Sequence, residues 1–232
     1  MPKLRVEVWS DVVCPWCYVG KRRLEAAIAR MPSPADVEVI WHAFELDPKA
    51  PRVRRVKTTY AERLARKYRA SLEQANAMIE RMTSLGAGEG IRFRLDRVRP
   101  GSSFDAHRVL HLARERGVQG AVKERLMRAY FTEGEAIGDR KALVRLAGEA
   151  GLDPAEVRRV LAGRKYAGAV RADEKEAARN EIHAVPFFGV GAYGVTGAQS
   201  VEVLHGTLLQ AWGEAGTPAL PGGAAGGSGA GA

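Results

Sequence analysis

A chain of 232 residues that is 46% hydrophobic and 27% charged has the make-up of a folded soluble protein, and wholesale disorder is excluded. It contains no apolar run of about 18 residues, so no transmembrane helix is expected. Its first residues, Met1 to Glu7, lack the apolar core of a secretory leader, which makes a cytoplasmic location the expectation. There are only two cysteines, too few for a disulfide scaffold, and both fall in one C-x-x-C, Cys14 to Cys17.

Leu4 to Trp9 alternates with period two and reads as a strand. Pro15 to Arg30 reads as a helix closed by Pro32 and Pro34, and the β-branched and aromatic run Val37 to Phe44 as a second strand. Strand, helix and strand in so short a span make a βαβ unit with parallel strands. From Thr58 to Ile182 the composition changes to Ala, Leu, Arg and Glu at helical spacing, broken at Gly86–Gly90, Gly117–Gly120, Gly134–Gly138 and Gly148–Asp153. Ser103 is expected to cap one of these helices. Asp153 is expected to cap another, with Pro154 in its first position and Glu156 in its first turn. Phe187–Val190 and Tyr193–Thr196 form a hairpin around Gly191-Ala192. Ser200 to Trp212 is a last helix. Residues 217–232, with six Gly, five Ala, two Pro and no charge, read as a flexible tail. The expected organisation is therefore an α/β domain built from 1–57 and 183–216, an all-helical insertion over 58–182, and the tail.

The net charge is +9, and seven of those nine charges come from Arg52–Arg69, where eight cations face the single carboxylate of Glu62. Tyr60, Leu64 and Tyr68 recur at i, i+4, so the cations after Tyr60 are expected on the wet face of an amphipathic helix, with steering of acidic substrates as the functional alternative. No row of stacking aromatics accompanies the charge, which argues against nucleic acid as a partner.

The chemistry lies in Cys14-Pro15-Trp16-Cys17. Pro15 suits the first helical position because its missing N–H has no helical use there, and that puts Cys14 at the N-cap. The free N–H groups and positive dipole end at that place favour a thiolate, so Cys14 is expected to ionise below the free-thiol value of about 8.5. Cys17 lies in the first turn, within reach of Cys14 but badly placed to meet a bulky substrate. Cys14 then attacks and Cys17 resolves, with Trp16 covering the pair. A zinc site would need two further ligands from His42, His107, His111, His183 and His205. His107 and His111 have i, i+4 spacing, but without a recognisable zinc motif they read as packing residues, and no metal is assigned.

These residues carry a family resemblance. The run Ser10–Lys21 resembles the DsbA-like thioredoxin-fold proteins, and within them the FrnE-like branch of dithiol-disulfide isomerases. Phe44–Pro48, Ser103–Arg108, Ala129–Gly134, Val185–Phe188 and Thr196–Gln199 resemble that branch in the same order. The resemblance implies a thioredoxin-like fold, a central mixed sheet of about four strands with the helical insertion. It also implies a cis bond at Val185-Pro186 facing the cysteines. Pro186 would then join Cys14 and Cys17 as a catalytic position, and Pro15, Trp16 and Val185 would meet substrate, the Val185 main chain pairing with an extended chain. Trp16 stands where better-known DsbA proteins have His, and Ala184 where Gly is usual. Related kappa-type glutathione transferases and hydroxychromene-carboxylate isomerases use Ser at the Cys14 position.

The expected function is thiol-disulfide exchange on protein or small-molecule thiols and disulfides, supplied by an unidentified electron donor and needing no cofactor beyond the cysteine pair. Glutathione is the co-substrate left open, and a second copy of the chain the partner left open. The alternatives are a glutathione-dependent transferase or isomerase, in which the basic helix and Gly197–Ser200 hold carboxylates, and a non-catalytic metal- or partner-binding protein.

Overall fold

The computed structural model describes residues 3–54 and 57–216, so Arg55 of the basic stretch and the tail expected over 217–232 lie outside the described residues. Among those residues the chain forms four strands, β1 (Leu4–Ser10), β2 (Val37–Ala43), β3 (Phe187–Val190) and β4 (Tyr193–Thr196), in one mixed sheet of order β2-β1-β3-β4. β1 and β2 run parallel, with Leu4 opposite Val37 and Ser10 opposite Ala43. β3 lies antiparallel to β1, Phe187 opposite Trp9, and β4 closes the hairpin. This is the thioredoxin-like sheet with its crossover helix α1 (Pro15–Ala29).

Period-two alternation explains how β1 divides its side chains. Leu4, Val6 and Val8 pack with Leu24 and Ala27 of α1, Phe188 and Val190 of β3, and Leu204 and Leu208 of the last helix, α9 (Val201–Gly216). Trp9 instead packs with Ala177 and Ile182.

Seven helices lie between β2 and β3 in the chain: α2 (Tyr60–Tyr68), α3 (Leu72–Gly88), α4 (Phe104–Glu115), α5 (Gln119–Arg128), α6 (Arg140–Glu149), α7 (Pro154–Ala162) and α8 (Ala167–Arg179). The largest core sits among them, with Leu112, Leu126, Leu143, Leu146 and Val157 sealed from solvent. Asp153 caps α7 by accepting from the Ala155 N–H at 2.9 Å. Ser103 does not cap α4. Its backbone is already helical, and the neighbouring Ser102 Oγ accepts from the Phe104 N–H instead, at 3.2 Å. A side chain leaving a helical φ/ψ cannot fold back onto the first-turn donors as an extended N-cap does.

Two contacts fasten the helical region to the sheet and fix where α1 starts. β2 is an edge strand, and Gln119 of α5 meets it with both ends of its amide: Oε1 accepts from the Trp41 N–H at 3.0 Å and Nε2 donates to the Trp41 carbonyl at 2.8 Å. Glu124, one turn further along, takes Tyr18, Lys21 and Arg22 of α1 at 2.5–2.7 Å. Among the described residues no helix is long and apolar enough to cross a membrane.

Candidate active site

The site begins where β1 stops. Asp11, with no exposed surface, spends its carboxylate on the loop: Oδ1 accepts from the Val13 N–H and Oδ2 from the Leu46 N–H, and its carbonyl accepts from the Cys14 N–H. Cys14 is thereby held at the N-cap of α1 in extended backbone (φ −94°, ψ 115°) with Pro15 in the first turn. Both cysteines are free thiols. Cys14 is 4% exposed and borders a cavity of about 570 Å³, whereas Cys17 is fully covered and does not border it.

From the far end of the chain, Val185 closes the other side. The Cys14 Sγ donates to the Val185 carbonyl at 3.7 Å, and the Val185-Pro186 peptide bond is cis. Pro15, Trp16 and Val185 all border the cavity. Pro186 stands behind Val185 and is packed on Gly20 of α1, where a Cβ would come within 2.9 Å of Pro186 Cγ. Its carbonyl accepts from the Gly197 N–H at 2.8 Å, fixing the strand end. Trp16 is 44% exposed and borders the same cavity as Cys14.

The ionisation of the pair differs from the expectation. The hydrogen bond shared with Cys17, together with burial, pushes the Cys14 thiol well up. Burial acts against a charge on Cys17 too, but the hydrogen bond from Cys14, the Ser10 hydroxyl and the positive charge of Lys123 outweigh it and hold Cys17 down. The helix N-terminus alone does not decide the matter, because the positive charge of the buried Lys123 acts to lower Cys17. Lys123 has no exposed surface, lies 4.9 Å over the Trp41 ring and donates to the Ser10 carbonyl at 3.5 Å; burial pushes it down to about 8. Asp11 stays below the usual carboxylate range despite burial, through His107 at 3.3 Å and the Leu46 N–H.

α2 and α3 supply much of the opposite cavity wall, with Leu46, Leu95 and His183 completing it. Tyr60, Leu64, Met78 and Ile79 supply apolar surface, and Arg63 and Lys67 supply charge. Part of the basic stretch therefore turns toward the cysteines instead of wholly toward solvent. The Tyr60 phenol, pushed up to about 12 by burial and the nearby Cys14 sulfur, stays neutral.

The histidine pair splits: His107 meets Asp11, and His111 meets Asp173 at 3.0 Å. Asp173 also binds His42 at 3.1 Å and the Ala43 N–H at 2.7 Å. His42, Asp173 and Glu176 bring donor atoms within 4.8 Å of one another, but Asp173 is already spent on these partners, which marks a structural cluster. Sequence reading missed Lys123, although a lysine in register with the apolar positions Val122, Leu126 and Met127 was a signal of burial. It also missed the site roles of Asp11 and Tyr60.

The DSBA-like thioredoxin domain family matches residues 5–209. The uncharacterized protein YwbO of Bacillus subtilis (strain 168) is 32% identical over 205 residues, covering 87% of this chain and 94% of that protein. The crystal structure of the probable DsbA oxidoreductase SCO1869 from Streptomyces coelicolor superposes with a TM-score of 0.86 at 45% identity, over 95% of this chain and 94% of that one. The cytosolic disulfide reductase DsbM from Pseudomonas aeruginosa shares the fold, with a TM-score of 0.56 at 16% identity over 91% and 97%.

Proposed function

From membership of the DSBA-like thioredoxin domain family, to which this chain belongs, we propose that it is a thiol-disulfide oxidoreductase in which Cys14 exchanges with substrate and Cys17 resolves. The difference in access carries this reading: Cys14 borders the cavity, and Cys17 lies sealed beneath it.

In the reducing direction the Cys14 sulfur attacks one sulfur of a substrate disulfide. A mixed disulfide forms and one substrate thiolate leaves. Cys17 then attacks the Cys14 sulfur, forms the intramolecular disulfide and expels the second thiolate; the pair has lost two electrons and the substrate has gained them. An external dithiol returns the pair to its reduced state. Before attack the proton shared between the sulfurs must lie toward Cys17, and the hydrogen bond between the two thiols provides the path. When that proton is not shared with Cys17, the Cys14 thiol donates it to the Val185 carbonyl, a contact that a bound substrate would displace. A cytosolic setting, which keeps such pairs largely reduced, makes reduction or isomerisation the net reaction of this proposal.

Two adjacent thiols set this reading apart from the glutathione transferase and isomerase alternative, which needs one donor to the glutathione sulfur and gives Cys17 no task. The test is a titration of the purified protein against dithiol-disulfide buffers, with the Cys14–Cys17 bond followed by mass. A reversible two-electron couple, and catalysed turnover of a model disulfide lost in Cys14→Ser, are expected. A pair that neither oxidises nor turns over a disulfide would end the proposal.

A further inference from the structure

Resting on that reading, we infer that the cavity above Cys14 selects small disulfides that pair an apolar, ring-like body with a carboxylate, the carboxylate being taken by Arg63 and Lys67 of α2.

The apolar half follows from where exposed apolar surface collects. Eight large hydrophobic side chains are exposed among the described residues, and four of them, Trp16, Leu46, Tyr68 and Met78, border this one cavity. Leaving such groups in water is tolerated singly, but a cluster around a concave site marks a ligand surface. The cavity's volume of about 570 Å³ suits a small molecule. Cys14, 4% exposed at its floor, is out of reach of a disulfide fixed on a folded protein surface, whereas a small disulfide can descend to it.

The anionic half follows from charges that have no partner. No Asp or Glu borders the cavity. Arg63 donates to the Thr58 carbonyl at 2.6 Å and lies over the Tyr60 ring, and Lys67 lies 5.5 Å over the Tyr68 ring. Neither makes an ion pair among the described residues, whereas Arg54 nearby is matched with Asp47. Two unmatched cations beside an apolar wall complement an anion tethered to an apolar body. A guanidinium's fork fits a carboxylate in particular.

Chemistry at the sulfurs is the exchange already written: one disulfide bond of the substrate breaks, the Cys14–Cys17 bond forms, two substrate thiols leave, and a dithiol, dithiothreitol in the test, restores the enzyme. The test compares kcat/KM for dithiobis(nitrobenzoate), aromatic and anionic, with dithiodipyridine, aromatic and neutral, and with insulin. Each value is divided by the rate of dithiothreitol alone with the same disulfide. The wild type is expected to favour dithiobis(nitrobenzoate). The double variant Arg63→Gln, Lys67→Gln should lower the ratio of anionic to neutral substrate by about tenfold. The charge-preserving swap Arg63→Lys, Lys67→Arg should keep most of that ratio, and so should Lys141→Gln, remote from the cavity. An unchanged ratio in the double variant, an equal loss for both small disulfides, or a normalised rate higher for insulin would overturn the inference while leaving thiol exchange standing. No catalysed exchange with any of the three would instead end the thiol-exchange reading, and this inference with it.

Discussion

Cys14 and Val185 are 171 residues apart in sequence, yet the thiol of one donates to the carbonyl of the other at 3.7 Å. A disulfide substrate entering the cavity meets both at once, a sulfur to react with and a main chain to lie against. Cys17, fully covered, does not border the cavity. Cys17→Ser is therefore expected to accumulate mixed disulfides through Cys14 when given a disulfide substrate, visible as a mass increase that dithiothreitol removes. Cys14→Ser should trap little and turn over nothing. Trapping through Cys17 would reverse the assigned roles.

Gly20 of α1 ties the two halves of that site together. A Cβ there would come within 2.9 Å of Pro186 Cγ and 3.1 Å of the Phe188 ring, too close for any side chain unless the hairpin retreats. Gly20→Ala should cost about 1–3 kcal/mol, as overpacked core positions do, and move Val185 off Cys14. The check is a lowered Tm together with a lowered kcat/KM for a model disulfide. A variant with wild-type values for both would show that the hairpin position is soft.

Much of this site is legible in the sequence. Pro15 directly after Cys14 marks the helix start, and the alternation Leu4–Trp9 marks the strand that delivers the chain to it, because both are local signals of backbone geometry. Charge is less legible, for the same local reason. A cation on a helix reads as solvated, and nothing in the near sequence says that Lys123 faces Trp41, 82 positions earlier, or that Arg63 borders the Cys14 cavity as well as the neighbouring cleft it shares with Arg66. The low pKa expected of Cys14 failed on that point: the helix terminus was visible in sequence, and the counter-charge beside Cys17 was not.

Lys123 is then expected to tune the redox character of the pair. It has no exposed surface, and its positive charge helps hold the Cys17 thiol down. Lys123→Met keeps most of the volume and removes the charge. The first ionisation of the reduced pair should rise by about one pH unit or more, followed by ultraviolet thiolate absorbance. Each such unit is about 1.4 kcal/mol of lost stabilisation of the reduced form, or about 30 mV toward a more reducing couple. An unmoved titration curve would mean that the Ser10 hydroxyl and the Cys14 hydrogen bond suffice alone.

The cluster around Asp173 predicts a stability window. Burial alone would push His42 down, but its hydrogen bonds to Asp173 and Glu7 raise it above its ordinary value. Asp173, taken by His111, His42 and the Ala43 N–H, lies well below the carboxylate range in spite of its own burial. The signs are opposite. The His42 contribution is complete below its unfolded pKa of about 6.5 and fades as pH rises through the higher folded value; the Asp173 contribution is complete above about 3.9 and fades as pH falls through the depressed one. Stability from this cluster is therefore greatest between about pH 4 and 6.5. Asp173→Asn strands two histidines and should cost about 3 kcal/mol, as breaking a buried pair does. Unfolding of wild type and variant in denaturant across pH checks it: their difference should be largest within that window and shrink toward alkaline pH. A difference that stays constant with pH would show that Asp173 holds α8 to β2 through the Ala43 N–H alone, without the charge of His42.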